Sequence, residues 1–343
     1  MSRRSVTLLV AAVGVLIAIA VAVIAPVPYV ALTPGPTLNT LGLLNGKPLI
    51  QVKGHRTYPT RGNLNMVTVS FLGGPQTEFN IFSALQAWLS PHDAVVPEQE
   101  IFTPGQSPQQ VAQVDTEEMA GSQQTATAAA LCQLKIKFKT VETVQATIKG
   151  MPAAGVLHPG DDIEAVDGTP LGCRTDAGTL IQAHKPGTPV ELTVLRHGKT
   201  IGVRLATANV QGTPEIGVEL VQNFVFPFTV TIDVGDIGGP SAGLMFALGL
   251  IDKITPENLT GGRFIAGTGE IEANGTVEPI GGIQQKMAGA RAAGATIFLT
   301  PAANCSDTAG AVPAGMRLIK VSSLAGAIAA LDALKAGRPV PPC

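Results

Sequence analysis

The sequence predicts a mixed α/β (α+β) protein with one N-terminal transmembrane helix. Three features support this prediction. The chain begins with a long apolar stretch, short alternating strand patterns recur along it, and two glycine-rich turns in the last third each precede an apolar helical pattern. A chain of 343 residues, of which 45% are apolar, is long enough to bury the cores of two or three domains.

The N-terminal stretch has the length of a membrane span. Residues Ser5 to Gly46 carry no charge, and Val6 to Val27 are almost all Val, Ala, Leu or Ile. About 20 apolar residues cross a bilayer, whereas the apolar part of a signal peptide usually has about 7–15. Because Arg3 and Arg4 precede the stretch, the positive-inside rule places the N terminus in the cytoplasm and the bulk of the chain outside. Residues 1–28 are therefore predicted to be a cytoplasmic tip and a single-pass anchor in the cell membrane.

Cleavage of the apolar stretch remains an alternative. Small residues suited to a signal-peptide cleavage site occur at Ala18-Ile19-Ala20 and at Ala20-Val21-Ala22. No cysteine of the lipoprotein type follows the stretch. The sequence therefore leaves open whether the N-terminal segment is retained.

Four cysteines form an even set: Cys132, Cys173, Cys305 and Cys343. Such a set fits an oxidising compartment outside the cytoplasm. None of the cysteines has C-x-x-C spacing, so no metal site is expected. Of the three possible pairings, we favour Cys305–Cys343, which would hold the C-terminal tail, together with Cys132–Cys173. The alternative is that the four are unpaired buried thiols.

Residues 29–133 contain helices and strands without a catalytic cluster. Leu64 to Leu72 alternates like a strand, residues 78–90 form a helical pattern that contains Trp88, and a long helix begins near Ser107. We expect Trp88, the single tryptophan, to be packed in the core. We also expect this segment to belong structurally to the C-terminal domain, with another module inserted between them.

The inserted module is predicted at residues 134–208. A helix is expected near residues 175–183, followed by two strands joined at His197-Gly198-Lys199-Thr200. The Gly-Lys-Thr ending is not a phosphate-binding loop, because Thr193 stands where that motif has its first glycine. Asp161 and Asp162 are adjacent carboxylates, which we interpret as a solvated turn and not as an acid–base pair.

Ser241 is the strongest candidate nucleophile. It lies in GGPSAG (residues 238–243), where Pro240 suits the first position of a helix, so free N–H groups would favour negative charge beside the serine. Residues 239–243 have G-x-S-x-G spacing, but all five histidines precede the serine in scattered positions, so no histidine-containing signature of a serine protease is visible. Lys286 can act as the base if burial lowers its pKa from about 10.4. Asn274-Gly275 predicts a hairpin with a type I′ turn that could bring the two residues together.

The motifs GGPSAG, GTGEI, VEPIGGIQQKMAGARAAGA and IFLTPAAN occur in this order. Together they resemble the proteolytic domain of Lon-type Ser–Lys peptidases, which we place at residues 209–343. The resemblance implies Ser241 as the nucleophile, Lys286 as the general base and Thr268 as a hydroxyl that orients the lysine. It implies an oxyanion hole at the turn formed by Gly239, Pro240, Ser241 and Ala242. Many Lon proteins have an acidic residue shortly before the serine, whereas here Asp236 lies five residues back.

The inserted module resembles a bacterial PDZ domain. The resemblance rests on the pattern Pro-Ala-Ala-Gly-Val-Leu, Pro-Gly-Asp-Asp-Ile and Val-Asp-Gly between residues 152 and 168. Domains of this kind add an extended peptide to a sheet edge and hold its terminal carboxylate in backbone N–H groups. We expect the carboxylate loop just before the first strand of the module, near residues 134–141.

Together these features predict an ATP-independent, membrane-anchored serine endopeptidase that cleaves extracytoplasmic polypeptides, with the PDZ domain binding substrate tails or regulating the enzyme. No cofactor or metal is expected, and a net charge of −2 argues against nucleic acid as a partner. The resemblance to Lon implies that a homo-oligomer, a hexamer, can form. An alternative function is a membrane-tethered PDZ adaptor with an inactive Lon-like scaffold. An amidase or esterase that acts on a non-protein substrate is a weaker alternative.

Overall fold

The computed structural model describes residues 3–343. The α-helices are α1 (Arg3–Ile24), α2 (Ile81–Leu89), α3 (Pro108–Gln133), α4 (Ala177–Gln182), α5 (Gly243–Ile254), α6 (Ile283–Ala292) and α7 (Leu324–Lys335). Strands in the first part of the chain are β1 (Tyr29–Asn39), β2 (Leu43–Leu44), β3 (Lys47–Pro48), β4 (Ile50–Lys53), β5 (Asn63–Gly73), β6 (Ala94–Pro97), β7 (Lys139–Thr147), β8 (Asp162–Val166) and β9 (Thr169–Pro170). The later strands are β10 (Pro189–Arg196), β11 (Lys199–Ala206), β12 (Ala208–Val210), β13 (Thr213–Glu215), β14 (Val218–Val225), β15 (Thr229–Ile232), β16 (Phe264–Gly267), β17 (Glu270–Ile271), β18 (Val277–Glu278), β19 (Ile297–Pro301) and β20 (Arg317–Val321).

The larger sheet combines the two ends of the chain. Its six strands lie in the order β20-β19-β16-β5-β1-β6, so three come from residues 29–133 and three from the C-terminal region. The strands from β20 to β5 are parallel, and β1 is antiparallel to both of its neighbours. The core on one face contains residues from both regions, among them Leu64, Leu131, Phe246 and Leu331. The N-terminal segment and the C-terminal region therefore share one hydrophobic core.

Helices α5 and α6 lie on opposite faces of this sheet. Phe246 of α5 packs in the core with Met66, whereas Met287 of α6 packs with Val67, and successive residues of a strand point to opposite faces. Strand β16, which lies between the two helices, ends at Gly267. The N-terminal ends of the two helices can therefore approach each other only beyond the end of this strand.

A second sheet forms a separate core. Its strands lie in the order β11-β10-β8-β7-β14, with β9 paired to β8. Helix α4 packs on this core through Ala177 and Ile181. Strand β14 follows the predicted boundary at residue 208, yet it pairs with β7 along residues 218–225 and forms one edge of this sheet. The sequence does not reveal this pairing, because the two strands lie more than 70 residues apart and leave no local signal.

Two disulfides join Cys132 to Cys173 and Cys305 to Cys343, the pairing that the sequence analysis favours. The first bond connects the C-terminal end of α3 to the loop before α4. Helix α3 packs against α5 in the larger domain. The Cys132–Cys173 bond therefore links the two domains covalently. The second bond attaches the C-terminal tail to the loop after β19.

Helix α1 is long and apolar enough to cross a membrane, and a signal sequence would have the same length and composition. None of its residues is buried against the rest of the chain. In the folded part, it contacts α2.

Three local expectations were wrong. Trp88 is not packed in the core, because its side chain is 73% exposed. Asn274 does not adopt a positive φ, so the hairpin between β17 and β18 has no type I′ turn, and only Gly275 is left-handed, at φ 91°. Asp161 is not a solvated residue: it is buried and paired with Arg196, whose guanidinium holds the pKa of that carboxyl below its usual range.

Candidate active site

The turn that carries Ser241 is held from two sides. On one side, the Gly239 amide donates to the carbonyl of Asp115, and the Ser122 hydroxyl donates to the carbonyl of Pro240 at 2.8 Å. On the other side, the Gly269 amide donates to the carbonyl of Ser241 at 2.9 Å. Helix α3 and the loop after β16 therefore fix the backbone of the turn before α5 begins.

Asp115 and Ser122 were not found by sequence analysis. They lie more than 115 residues before the serine turn, on a largely polar helix, and no local pattern marks a residue whose role is to bond to a distant carbonyl. A side chain at Gly238 would place its Cβ 2.4 Å from the Cβ of Asp115, so this close approach also requires a glycine.

Lys286 lies on the first turn of α6 and reaches the serine. Its Nζ donates to the Oγ of Ser241 at 3.0 Å. The lysine is only 4% exposed, and burial lowers its pKa to about 8. Within residues 3–343, no carboxylate forms a salt bridge with it. At pH 8 a large fraction of this lysine is therefore neutral and able to accept a proton.

Thr268 is fully buried beside the serine, but its partner differs from the expected one. Its Oγ1 donates to the carbonyl oxygen of Ser241 at 2.9 Å, and no hydrogen bond joins it to Lys286 in the described chain. Together with the Gly269 amide, it gives this carbonyl two donors. In this structure the hydroxyl therefore bonds to the peptide of the serine and not to the lysine.

Only part of the predicted oxyanion turn can donate hydrogen bonds. Pro240 has no N–H, and the amide of Gly239 is already bonded to Asp115. The amides of Ser241 and Ala242 make no hydrogen bond to any other residue in the described range 3–343. These two N–H groups precede α5. The positive end of the helix dipole lies there and adds to the attraction of these groups for a negative charge.

A cleft of about 640 Å³ lies beside these groups. Lys286 and Gly239 form part of its wall, and the carboxylates of Asp115, Glu118 and Asp236 contribute negative charge. Burial raises the pKa of Asp115 above its usual value. The apolar part of the wall includes Leu32, Val69, Phe71, Ile101, Phe102, Val111 and Val114.

One wall of the cleft is an open strand edge. Strand β16 pairs with β5 only from Asn63 to Met66, although β5 continues to Gly73. Residues 68–71 of β5 line the cleft, and in the described chain no strand pairs with them on that side. An extended chain could therefore add to the sheet here, next to Ser241.

A smaller cavity lies in the second domain, between α4 and the free edge of β14. It has a volume of about 180 Å³, and Ile148, Ile181, Ile216 and Leu220 provide apolar lining. The loop before β14 contains Gly217 at φ 75°, where a Cβ would lie 2.1 Å from that of Met151. The groove is thus formed by β14 and the preceding loop at residues 214–217, and not by residues 134–141 as expected.

The fold and the two sites define a two-domain protein in which an α/β domain holds a serine bonded to a buried lysine, and a β-rich domain offers an apolar groove. Residues 131–207 match the family model of the PDZ domain, and residues 232–330 match that of the Lon protease (S16) C-terminal proteolytic domain. The chain therefore contains a PDZ domain and a Lon-type proteolytic domain, which confirms both resemblances.

Known proteins are similar over parts of the chain. Lon protease 1 of Bacillus subtilis is 34% identical over 97 residues, which are 28% of this chain and 12% of that protein. Lon protease 2 of Herpetosiphon aurantiacus is 45% identical over 69 residues, or 20% of this chain and 8% of that protein. The crystal structure of the PDZ domain of an SdrC-like protein from Listeria innocua is 29% identical, covers 23% of this chain and 92% of that chain, and has a TM-score of 0.22. The chain spans about a tenth of the length of the two Lon proteases.

Proposed function

We propose that this chain is a membrane-anchored serine endopeptidase that cleaves extracytoplasmic polypeptides without ATP. One observation carries the proposal: the Nζ of Lys286, buried and with a pKa lowered to about 8, lies 3.0 Å from the Oγ of Ser241. A neutral lysine at this distance can remove the proton of the hydroxyl, which a serine needs in order to act as a nucleophile.

In the acylation step, the Oγ of Ser241 attacks the carbonyl carbon of the scissile peptide while Nζ of Lys286 accepts the hydroxyl proton. The negative charge that develops on the carbonyl oxygen is stabilised by the free amides of Ser241 and Ala242. The carbon–nitrogen bond then breaks, and the lysine ammonium gives its proton to the leaving amine. The products of this step are an acyl ester on Ser241 and a neutral Lys286.

In the deacylation step, a water molecule attacks the ester carbonyl and Lys286 accepts a proton from it. The same two amides stabilise the second oxyanion. When the ester bond breaks, the proton returns from the lysine to the Oγ of Ser241, and the acid product leaves. Lysine thus acts as base and acid in turn, as histidine does in other serine hydrolases.

The open edge of β5 supports a peptide as the substrate. A main chain added to residues 68–71 would be held in an extended form beside the serine, which positions its carbonyl for attack. Only an unfolded or flexible segment can bind in this way.

The His-Gly-Lys-Thr stretch lies in the turn between β10 and β11, where Arg196 pairs with Lys199, so it is part of a hairpin and not of a nucleotide site.

Incubation of the full chain in detergent with an unstructured protein, without nucleotide, tests the proposal. We expect peptide products whose formation is unchanged by ATP and is lost in Ser241→Ala. An intact substrate at every pH from 6 to 10 would contradict the endopeptidase proposal. If the chain nevertheless bound C-terminal peptides, the adaptor function would replace it.

Substitution of Thr268 tests what its hydroxyl does. We expect Thr268→Val, which keeps the shape but removes the donor, to lower kcat on the order of 10²-fold, because the serine peptide loses one of its two fixing bonds. Stability should fall by only about 1 kcal/mol. The midpoint of the pH–rate profile should stay near that of the wild type, as measured by initial rates from pH 6 to 10. A shifted midpoint would mean instead that the hydroxyl acts on Lys286.

We further propose that the groove beside β14 binds peptide C termini. Leu220 lines this groove and also a neighbouring cavity of about 520 Å³ that extends to the hairpin residues 270–274 of the proteolytic domain. The hairpin follows Gly269, whose amide bonds to the serine carbonyl. A tail held in the groove would therefore point its upstream residues toward the proteolytic domain.

Leu220→Asp is expected to weaken binding of apolar C-terminal peptides at least about tenfold, because it places a charge in the apolar groove. The adjacent Val221, which is 46% exposed, offers a matched control, and Val221→Asp should bind normally. Fluorescence anisotropy with a labelled peptide and its C-terminally amidated form measures both effects. Equal loss in the two variants would place the peptide elsewhere.

Helix α1 supports the anchoring part of the proposal by its length, its apolar composition and its exposure. The two disulfides support an extracytoplasmic position for the folded part, because such bonds persist in oxidising compartments.

A further inference from the structure

Helix α2 has its apolar residues on the wrong side for a soluble protein. Its small residues, Ala84 and Ala87, face the core and pack with Ala31 and Phe79. Its large apolar residues face outward, with exposed fractions of 42% for Ile81, 58% for Phe82, 51% for Leu85, 73% for Trp88 and 69% for Leu89. A surface helix normally shows the opposite arrangement.

These five side chains form one continuous stripe. Each of the other four lies three or four residues from Leu85, so the five lie on a single face of the helix. The helix contains no charged residue. Such a face exposes a contiguous apolar surface, and surfaces of this kind mark contacts with a protein or a membrane.

The position of α2 favours the membrane. The helix lies where α1 ends: the amide of Val27 donates to the carbonyl of Phe79 at 2.8 Å, Pro26 pairs with Asn80, and the two helices are in contact. The helix with the exposed stripe therefore lies beside α1, none of whose residues is buried. A bilayer that surrounds α1 has its surface at the level of α2.

We propose that α2 lies in the outer surface of the same bilayer that α1 spans, with its five large apolar side chains among the lipids. This inference rests on the proposed anchoring by α1. An apolar helix face buries itself at the boundary between headgroups and acyl chains, and tryptophan is enriched at that level. Because α2 carries no lysine or arginine, its binding depends on apolar contact and needs no anionic lipid.

This second contact fixes the catalytic domain relative to the membrane. Strand β1 leads from α1 to the cleft, and Leu32, which lines the cleft, follows Ile24 by eight residues. Eight extended residues span about 26 Å at most. With α2 in the bilayer surface, the cleft stays near the membrane in one orientation, and flexible segments close to the bilayer are the substrates it can reach.

Trp88 provides the test, because it is the only tryptophan in the chain. The full chain is reconstituted into phosphatidylcholine vesicles, and flotation shows whether it is anchored. We expect blue-shifted Trp88 emission, strong quenching by lipids brominated near the headgroup end of the acyl chain, and protection from acrylamide. Leu85→Asp should lose most of the bromine quenching while the chain still floats and still cleaves a soluble substrate. Val312→Asp, at an apolar residue that is 43% exposed elsewhere, should leave the quenching unchanged.

Three results would overturn the inference. In an anchored chain, quenching of Trp88 by acrylamide and not by brominated lipid would place α2 in water. Blue-shifted emission without bromine quenching would mean that a protein surface, such as a second copy, covers the stripe. A chain that does not float would remove the anchor on which the inference depends. None of these results bears on cleavage of the soluble substrate, so the proposed protease activity is judged separately.

Discussion

Ser241→Ala and Lys286→Ala are each expected to lower kcat at least about 10⁴-fold, with little change in KM. The reason is that the hydroxyl and the amine act as one unit, 3.0 Å apart, so either one alone has no function in the reaction. The double variant should be no less active than either single variant. Initial rates of cleavage of an unstructured protein, with titrated enzyme, measure all three.

Two matched controls separate loss of chemistry from loss of folding. Ser322 and Lys320 are exposed residues of the same domain whose side chains have no hydrogen bond in the described chain. Ser322→Ala and Lys320→Ala should keep full activity. Near-normal turnover by Lys286→Ala would contradict the assignment of the base, and additive losses in the double variant would mean that the serine and the lysine act independently.

Activity is expected to rise with pH through a midpoint at about 8 and to level off above about 9. The pKa of Lys286 is lowered to about 8 by burial, so the reactive neutral form is lost as pH falls through that value. Two pH units below the midpoint, at pH 6, the rate should be about 100-fold below the plateau. An ordinary exposed lysine would place the midpoint near about 10.4 instead.

The pH profile of kcat/KM from pH 6 to 10 measures this effect. Lys286→Arg should be inactive throughout, because a guanidinium does not lose its proton in this range. A rate that is constant from pH 6 to 10 would exclude Lys286 as the titrating base.

Elements with a strong local pattern could be predicted closely from the sequence. The strand predicted at Leu64 to Leu72 lies within β5, and the long helix predicted from near Ser107 begins at Pro108, because alternation, helical periodicity and capping residues are local properties. The pairing of Ser241 with Lys286 came from a resemblance over several motifs. No pattern in the sequence measures a distance between two residues that lie 45 positions apart.

The errors have a common cause in tertiary structure. The periodicity of α2 predicts an apolar stripe, but it does not tell which side of the helix faces the sheet. In the structure Ala87 faces the sheet and Trp88 faces outward. The hydroxyl of Thr268 lies in the site with both Lys286 and the carbonyl of Ser241. The course of the loop after β16 directs it to the serine carbonyl. The peptide groove was expected at the first strand of the PDZ domain, whereas β14, the edge strand beside the groove, is the last strand of that sheet in chain order.

Covalent labelling of Ser241 tests the central claim most directly. The full chain is treated with a serine-directed sulfonyl fluoride from pH 6 to 10, and the modified residue is identified by peptide mass mapping. The account predicts one adduct, on Ser241, whose rate of formation rises through pH 8 and falls to the background level in Lys286→Ala. An adduct that forms equally fast in Lys286→Ala, or no adduct on Ser241 at any pH, would contradict it.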